Sequence, residues 1–174
     1  MDTEPTIIEE TPVTQILVVA NKTLGSRNLA DTLEARLTAQ RELTIKFLVP
    51  LDPTPMWAFG DPTGGAVWLG DLGFDWDREV RDQATERLRP LLQRLHTSGA
   101  TVTTQMTTGD PLRAVGTALA LADIDEIVIS TLPYGLSRWL RVDLPHRIRQ
   151  EFTVPVTTVV EDLRHRRAAR HSPI

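Results

Sequence analysis

Two kinds of apolar pattern alternate along this chain. Short continuous runs at Ile16–Ala20, Leu43–Val49, Glu126–Ser130 and Val154–Val160 are dominated by Val, Ile and Leu. Runs of this length and branching predict strands buried on both faces. A fifth run, Val102–Met106, interleaves Thr and Gln and predicts a less buried strand. Between the runs, apolar residues recur at spacing three or four, the period of one helix face. Leu29, Leu33 and Leu37 mark one helix, and Val80, Ala84, Leu88, Leu91, Leu92 and Leu95 a longer one over about 77–96. Leu112, Val115, Leu119 and Ala122 mark a third, and Leu144, Ile148 and Phe152 a fourth.

The punctuation agrees with this division. Ser26, Asp110 and Asp143 precede helical patterns and are N-cap residue types, with Pro111 at a first helical turn. Gly99 follows the long helix as a left-handed stop. Pro50 predicts the end of the second strand and Pro90 a kink in the long helix. Strands that alternate with helices form a parallel sheet covered on both faces. The predicted fold is therefore α/β, a doubly wound, Rossmann-like five-stranded sheet of order 3-2-1-4-5. Ligands of such sheets bind beyond the strand carboxyl ends, where the strand order reverses. That point lies between the first and fourth strands, so the candidate site is Ala20–Thr23, Gly109–Asp110 and Ser130–Ser137.

Composition narrows the classes. A chain of 174 residues, 41% hydrophobic and 24% charged, matches one globular domain. The formal net charge of −4 argues against a nucleic-acid binder. Without cysteine there is no disulfide, thiol nucleophile or zinc–thiolate site. No apolar run reaches the roughly 18 residues of a membrane span. The acidic, Pro/Thr-rich start differs from a signal peptide, so a cytoplasmic location is expected. Residues 1–13 are expected to be a disordered tail, 14–161 the domain and 162–174 a basic C-terminal tail. Within the domain, 51–77 reads as an insertion with three prolines, five glycines, three tryptophans and five aspartates. Its tryptophans, Trp57, Trp68 and Trp76, are expected to pack on the cleft or on a second subunit. Its aspartates fit no calcium-loop spacing.

Three segments together resemble a universal stress protein domain over about residues 14–161: ILVVAN, GDPLRAVGTALALADIDEIVIS, and TLPYGLSRWLRVDLPHRIRQEFTVPVTTVV. The Gly135-Leu136-Ser137-Arg138 and Val154-Pro155-Val156 matches are the more specific in combination. The resemblance implies an adenine nucleotide alpha hydrolase-like fold and a site for ATP or AMP. It places the contacts at Ala20, Asn21, Thr23, Val49, Gly109, Ser130, Thr131, Gly135, Ser137 and Arg138. It also implies a homodimer through the last strand, Val154–Val160, an apolar edge that would need covering. No catalytic residues and no metal are implied.

The chain departs from the family where phosphates would bind. ATP-binding members carry Gly-x2-Gly-x9-Gly-Ser/Thr, whose glycines admit close backbone approach. Here Ser130 stands at the first glycine, Leu132 or Pro133 at the second, and Val142-Asp143 at the final pair. Asp143 would put a carboxylate where a phosphate would sit, and the two anions would repel. Asn21 stands where members commonly have Asp, a milder change, because Asn still hydrogen-bonds a base or ribose edge. Ser137, Arg138, Arg141, His146 and Arg147 form a basic cluster that reads equally as an anion site or a solvated helix face. The sequence thus predicts a small regulatory or binding module with unidentified protein partners, which is not an enzyme and does not hold ATP in the usual way. The alternative is an adenine-nucleotide-binding stress protein that uses an altered loop at 130–138.

Overall fold

The structure, a computed structural model, describes residues 14–40, 42–51, 76–133 and 143–161. The expectations for both tails, for nearly all of the 51–77 insertion, and for Gly135, Ser137, Arg138 and Arg141 lie outside the described residues. Five strands, β1 (Thr14–Val19), β2 (Leu43–Leu51), β3 (Thr101–Thr108), β4 (Glu126–Thr131) and β5 (Val156–Val160), form one sheet. Four helices, α1 (Arg27–Ala39), α2 (Trp76–Thr97), α3 (Pro111–Leu121) and α4 (Leu144–Glu151), connect them. Every strand pair is parallel and the order is β3-β2-β1-β4-β5, as the alternating pattern predicts.

Each face of the sheet buries its own cluster. Ile16, Val18, Ile45, Phe47 and Val128 pack under α1 and α2 through Leu29, Leu33, Ala84, Leu88, Leu91 and Leu95. Leu17, Val19, Leu48, Ile127 and Ile129 pack on the opposite face under α3 and α4 through Leu112, Val115, Ala118, Leu144 and Ile148. The period-two alternation of strand side chains sends neighbours such as Leu17 and Val18 to opposite cores. Both cores are built of apolar side chains, and both faces of β1 are covered. That is why its sequence is continuously apolar rather than alternating.

The caps behave as local chemistry predicts at three of four positions. The Ser26 hydroxyl accepts from Leu29 N at 3.4 Å, and the Asp110 carboxylate accepts from Leu112 N at 3.3 Å. Gly99 has φ +88, the left-handed stop that follows α2. Asp143 precedes α4 but has φ 54, and its carboxylate makes no capping hydrogen bond. In left-handed backbone the side chain of the flanking residue is turned away from the N–H groups that a cap would serve.

Strand ends differ from the sequence reading by one or two residues, and at two of them a proline is involved. β2 continues through Pro50 to Leu51, and β5 begins at Val156 rather than Val154. Pro50 is tolerated because of its side of the ladder. Ala20 N donates to Leu48 O and Thr14 N to Glu42 O, each at 3.3 Å, so the even-numbered residues of β2 face β1. β1 has already ended opposite Leu48, so the N–H that Pro50 lacks would have served only the Ala20 carbonyl, just past the end of β1. At β5, Pro155 still accepts from Ile127 N through its carbonyl at 2.9 Å, but it has no N–H with which to extend the ladder. The helix α2 is continuous through Pro90.

Candidate functional site

The helices that follow β1 and β4 leave toward opposite faces, so the two strand ends part and their loops flank a rim. Residues 20–26 form a tight exit loop. Leu24 N donates to Asn21 O at 3.3 Å, and Ser26 N to Thr23 O at 2.9 Å. The loop is then tied to its neighbours by two side chains. Asn21 Nδ2 donates to Pro50 O at 2.7 Å, and Thr23 Oγ1 donates to Ser130 O at 2.9 Å.

The Asn21 contact has a ladder logic. In a parallel pair the next donor to β2 after Ala20 would be the N–H of residue 22, aimed at Pro50 O. The chain turns away before that, and the Asn21 amide supplies the donor instead. The reciprocal bond cannot form, because Pro50 has no N–H for the Ala20 carbonyl. The Ala20 carbonyl is left without its ladder donor, and Ala20 itself is fully buried. The half-buried Asn21 carries a side-chain oxygen that takes part in no hydrogen bond among the described residues.

Of the predicted site residues, Ala20, Asn21, Thr23, Ser130 and Thr131 are brought to this rim. Thr23, Ser130 and Thr131 are all buried, and Ser130 Oγ makes no hydrogen bond within the structure described. Val49 is fully buried in the core under α1 and α2. As an odd-numbered residue of β2 it turns its backbone to Met106 of β3, away from the rim. Gly109 lies on the same end of the sheet but beyond β3, two strands from β1. Its φ of +103 and the open space around its Cα leave the turn into α3 unobstructed. Pro50 was not a sequence candidate. Its carbonyl becomes part of the site only through the even–odd parity of β2, which the sequence does not display.

The N-terminus of α4 is poorly suited to an anion. The exposed Asp143 carboxylate adds negative charge there, and Pro145 removes one N–H. No group of three or more His, Cys, Asp or Glu able to hold a metal ion occurs among the described residues. No helix among them is long and apolar enough to cross a membrane.

An ion pair among the described residues sits at the other end of the sheet. Arg36 Nε and Nη2 each donate to the Glu126 carboxylate at 2.9 Å, and Thr157 Oγ1 adds a third bond at 2.6 Å. The Arg36 hydrogen bond, together with its charge and the Thr157 hydroxyl, holds Glu126 below the usual carboxylate range against the effect of burial. This cluster joins α1, β4 and β5 and is remote from the rim.

Fold and rim together define a doubly wound α/β domain with a switch point between β1 and β4. Comparison with solved structures narrows this to the universal stress protein fold. A hypothetical protein whose structure was a structural-genomics test case aligns at 12% identity and TM-score 0.59, over 86% of this chain and 96% of its own. A universal stress protein family member from Arabidopsis thaliana with AMP bound aligns at 16% identity and TM-score 0.54, over 87% and 94%. A universal stress protein from Archaeoglobus fulgidus aligns at 18% identity and TM-score 0.51, over 84% and 93%. At these identities the likeness is one of fold. No family model matches the chain, and no curated protein matches it in sequence.

Proposed function

We propose that this chain is a divergent universal-stress-protein-like module that works by regulation or binding, without catalysis of its own, and does not hold ATP in the usual manner. The observation that carries this reading is the head of α4. Asp143 stands there in left-handed backbone with its carboxylate exposed, so the helix end that would favour a phosphate carries an anion instead. Partner binding would fall to the 51–77 segment and the last strand, with a second copy of the chain joined through β5.

A second reading is favoured by the Asn21 side-chain oxygen, which makes no hydrogen bond among the described residues. It would take an adenine or ribose edge of an adenosine phosphate held in an altered pose, with Thr131, Gly135, Ser137 and Arg138 as further contacts. The AMP in the Arabidopsis relative lends this support. Thermal unfolding with millimolar ATP, ADP or AMP and magnesium separates the two. A ligand at about 100 times its dissociation constant adds roughly 2.7 kcal/mol, a visible rise in midpoint. The first reading expects no shift with any of the three. A shift with AMP alone would establish the second reading and overturn the first. An ATP shift as large as that of AMP would overturn the role given to Asp143. Under both readings, replacing Val142→Gly and Asp143→Ser together should bring in ATP binding.

A further inference from the structure

The open edge of β5 is occupied, and from both faces of the sheet. Ile127 N donates to Pro155 O, and Glu161 N donates to Thr131 O, each at 2.9 Å. Parallel ladders alternate, so residues 155, 157, 159 and 161 face β4. Val156, Thr158 and Val160 then direct their N–H and C=O groups outward, where an added strand would pair. Two of these three carbonyls are taken. Asn28 Nδ2 of α1 donates to Val160 O at 2.8 Å. Arg149 Nη2 of α4 reaches Val156 O at 3.4 Å and the Thr158 hydroxyl at 3.1 Å. One guard comes from the helix layer on each face.

The same edge is self-complementary. An antiparallel two-fold centred on Thr158 sets Thr158 opposite its own copy, Val156 opposite Val160 and Val160 opposite Val156. In that pairing the Val156 carbonyl would accept from the partner's Val160, and the Val160 carbonyl from the partner's Val156. These are the two carbonyls that Arg149 and Asn28 hold. Side-chain covering of an edge is a known defence against unwanted strand addition.

We propose that Asn28 and Arg149 are guards on the β5 edge, and that a second copy of this chain extends the sheet only by displacing both. This rests on the reading that self-association uses β5. Both side chains lie at the surface, so their removal leaves the cores untouched. The test is sedimentation equilibrium of the full chain across micromolar concentrations, as wild type, as Asn28→Ala with Arg149→Ala, and with Thr158→Lys added to either. Circular dichroism and the unfolding midpoint show that each variant is folded. The expected result is a dimer at least about tenfold tighter in the double variant, since freed carbonyls no longer compete. Adding Thr158→Lys should then dissociate it, because two like charges would face each other across the two-fold.

An unchanged or weaker dimer in the double variant, with Thr158→Lys still weakening the wild type, would overturn the guards while leaving the β5 interface standing. A tighter dimer that is indifferent to Thr158→Lys would place the contact elsewhere and overturn both. Absence of association in wild type and double variant alike would also overturn both.

Discussion

Glu126 shows how one residue acquires a role that its type does not announce. At the amino end of β4 it accepts two bonds from Arg36 and one from Thr157, tying α1 to both strands. Side-chain exposure of 17% keeps this carboxylate from full solvation, while Arg36, at 34%, is more exposed. Hydrogen bonds to charged groups contribute more than neutral ones, and partial exposure discounts them. Glu126→Gln should therefore destabilise the fold by about 1–2 kcal/mol, measurable by urea unfolding. The pH dependence follows from the same contact. The carboxyl is held below its ordinary 4.5 in the folded chain, so the unfolded chain binds the proton more readily. The contribution is complete above about 4.5 and fades as pH falls through the lower folded value. In Glu126→Gln the loss of stability on acidification should be shallower than in the wild type. Equal slopes would remove Glu126 from the acid response.

Among the elements, the helix starts divide by mechanism. Asp110 caps α3 through its side chain, and Asp143 heads α4 without capping it. Asp110→Ala should cost about 1 kcal/mol. Asp143→Asn should stay within about 0.5 kcal/mol, since Asn tolerates left-handed backbone and no capping bond is lost. Comparable losses in urea unfolding would show that the Asp143 carboxylate serves α4 after all. Gly99 acts at the other end of a helix, through its backbone alone. Its φ of +88 closes α2, with Ala100 N reaching back to Leu95 O at 3.1 Å. There a Cβ would meet no neighbour, so only backbone strain opposes a side chain.

In the whole molecule, stability is graded outward from the switch point. β1 and β4 are paired on both sides and lie between two apolar cores, whereas β3 is an outer strand with half-exposed or exposed residues. Amides of Ile16–Val19 and Ile127–Ile129 should exchange only through global opening, and those of β3 at lower free energy. Hydrogen exchange resolved by residue tests this. Protection in β3 equal to that in β1 would mean that the outer strand is covered in solution, as a partner docked on that edge would do. The grading leaves the candidate site on the rim of the most stable pair, where loops can vary without loosening the sheet.

Much of this was legible in one dimension. Runs such as ILVVA require burial on both faces, and helical spacing between them permits few topologies other than a doubly wound parallel sheet. Ser26, Gly99 and Asp110 were readable because capping is a contest among groups a few residues apart. The order 3-2-1-4-5 is one of the few that a doubly wound sheet adopts, and the rim of the candidate site followed from the strand order. What the sequence could not contain is the parity and reach of groups far apart in the chain. The place of Pro50 inside β2, the use of its carbonyl by Asn21, the joining of Arg36 to Glu126 and the covering of β5 by Asn28 and Arg149 all depend on register. A shift of one residue in a strand reverses which carbonyls face a neighbour, while hydrophobic pattern constrains side chains and leaves those backbone groups unmarked. Tertiary structure decided them because hydrogen bonds act over about 3 Å, a distance that only packing sets.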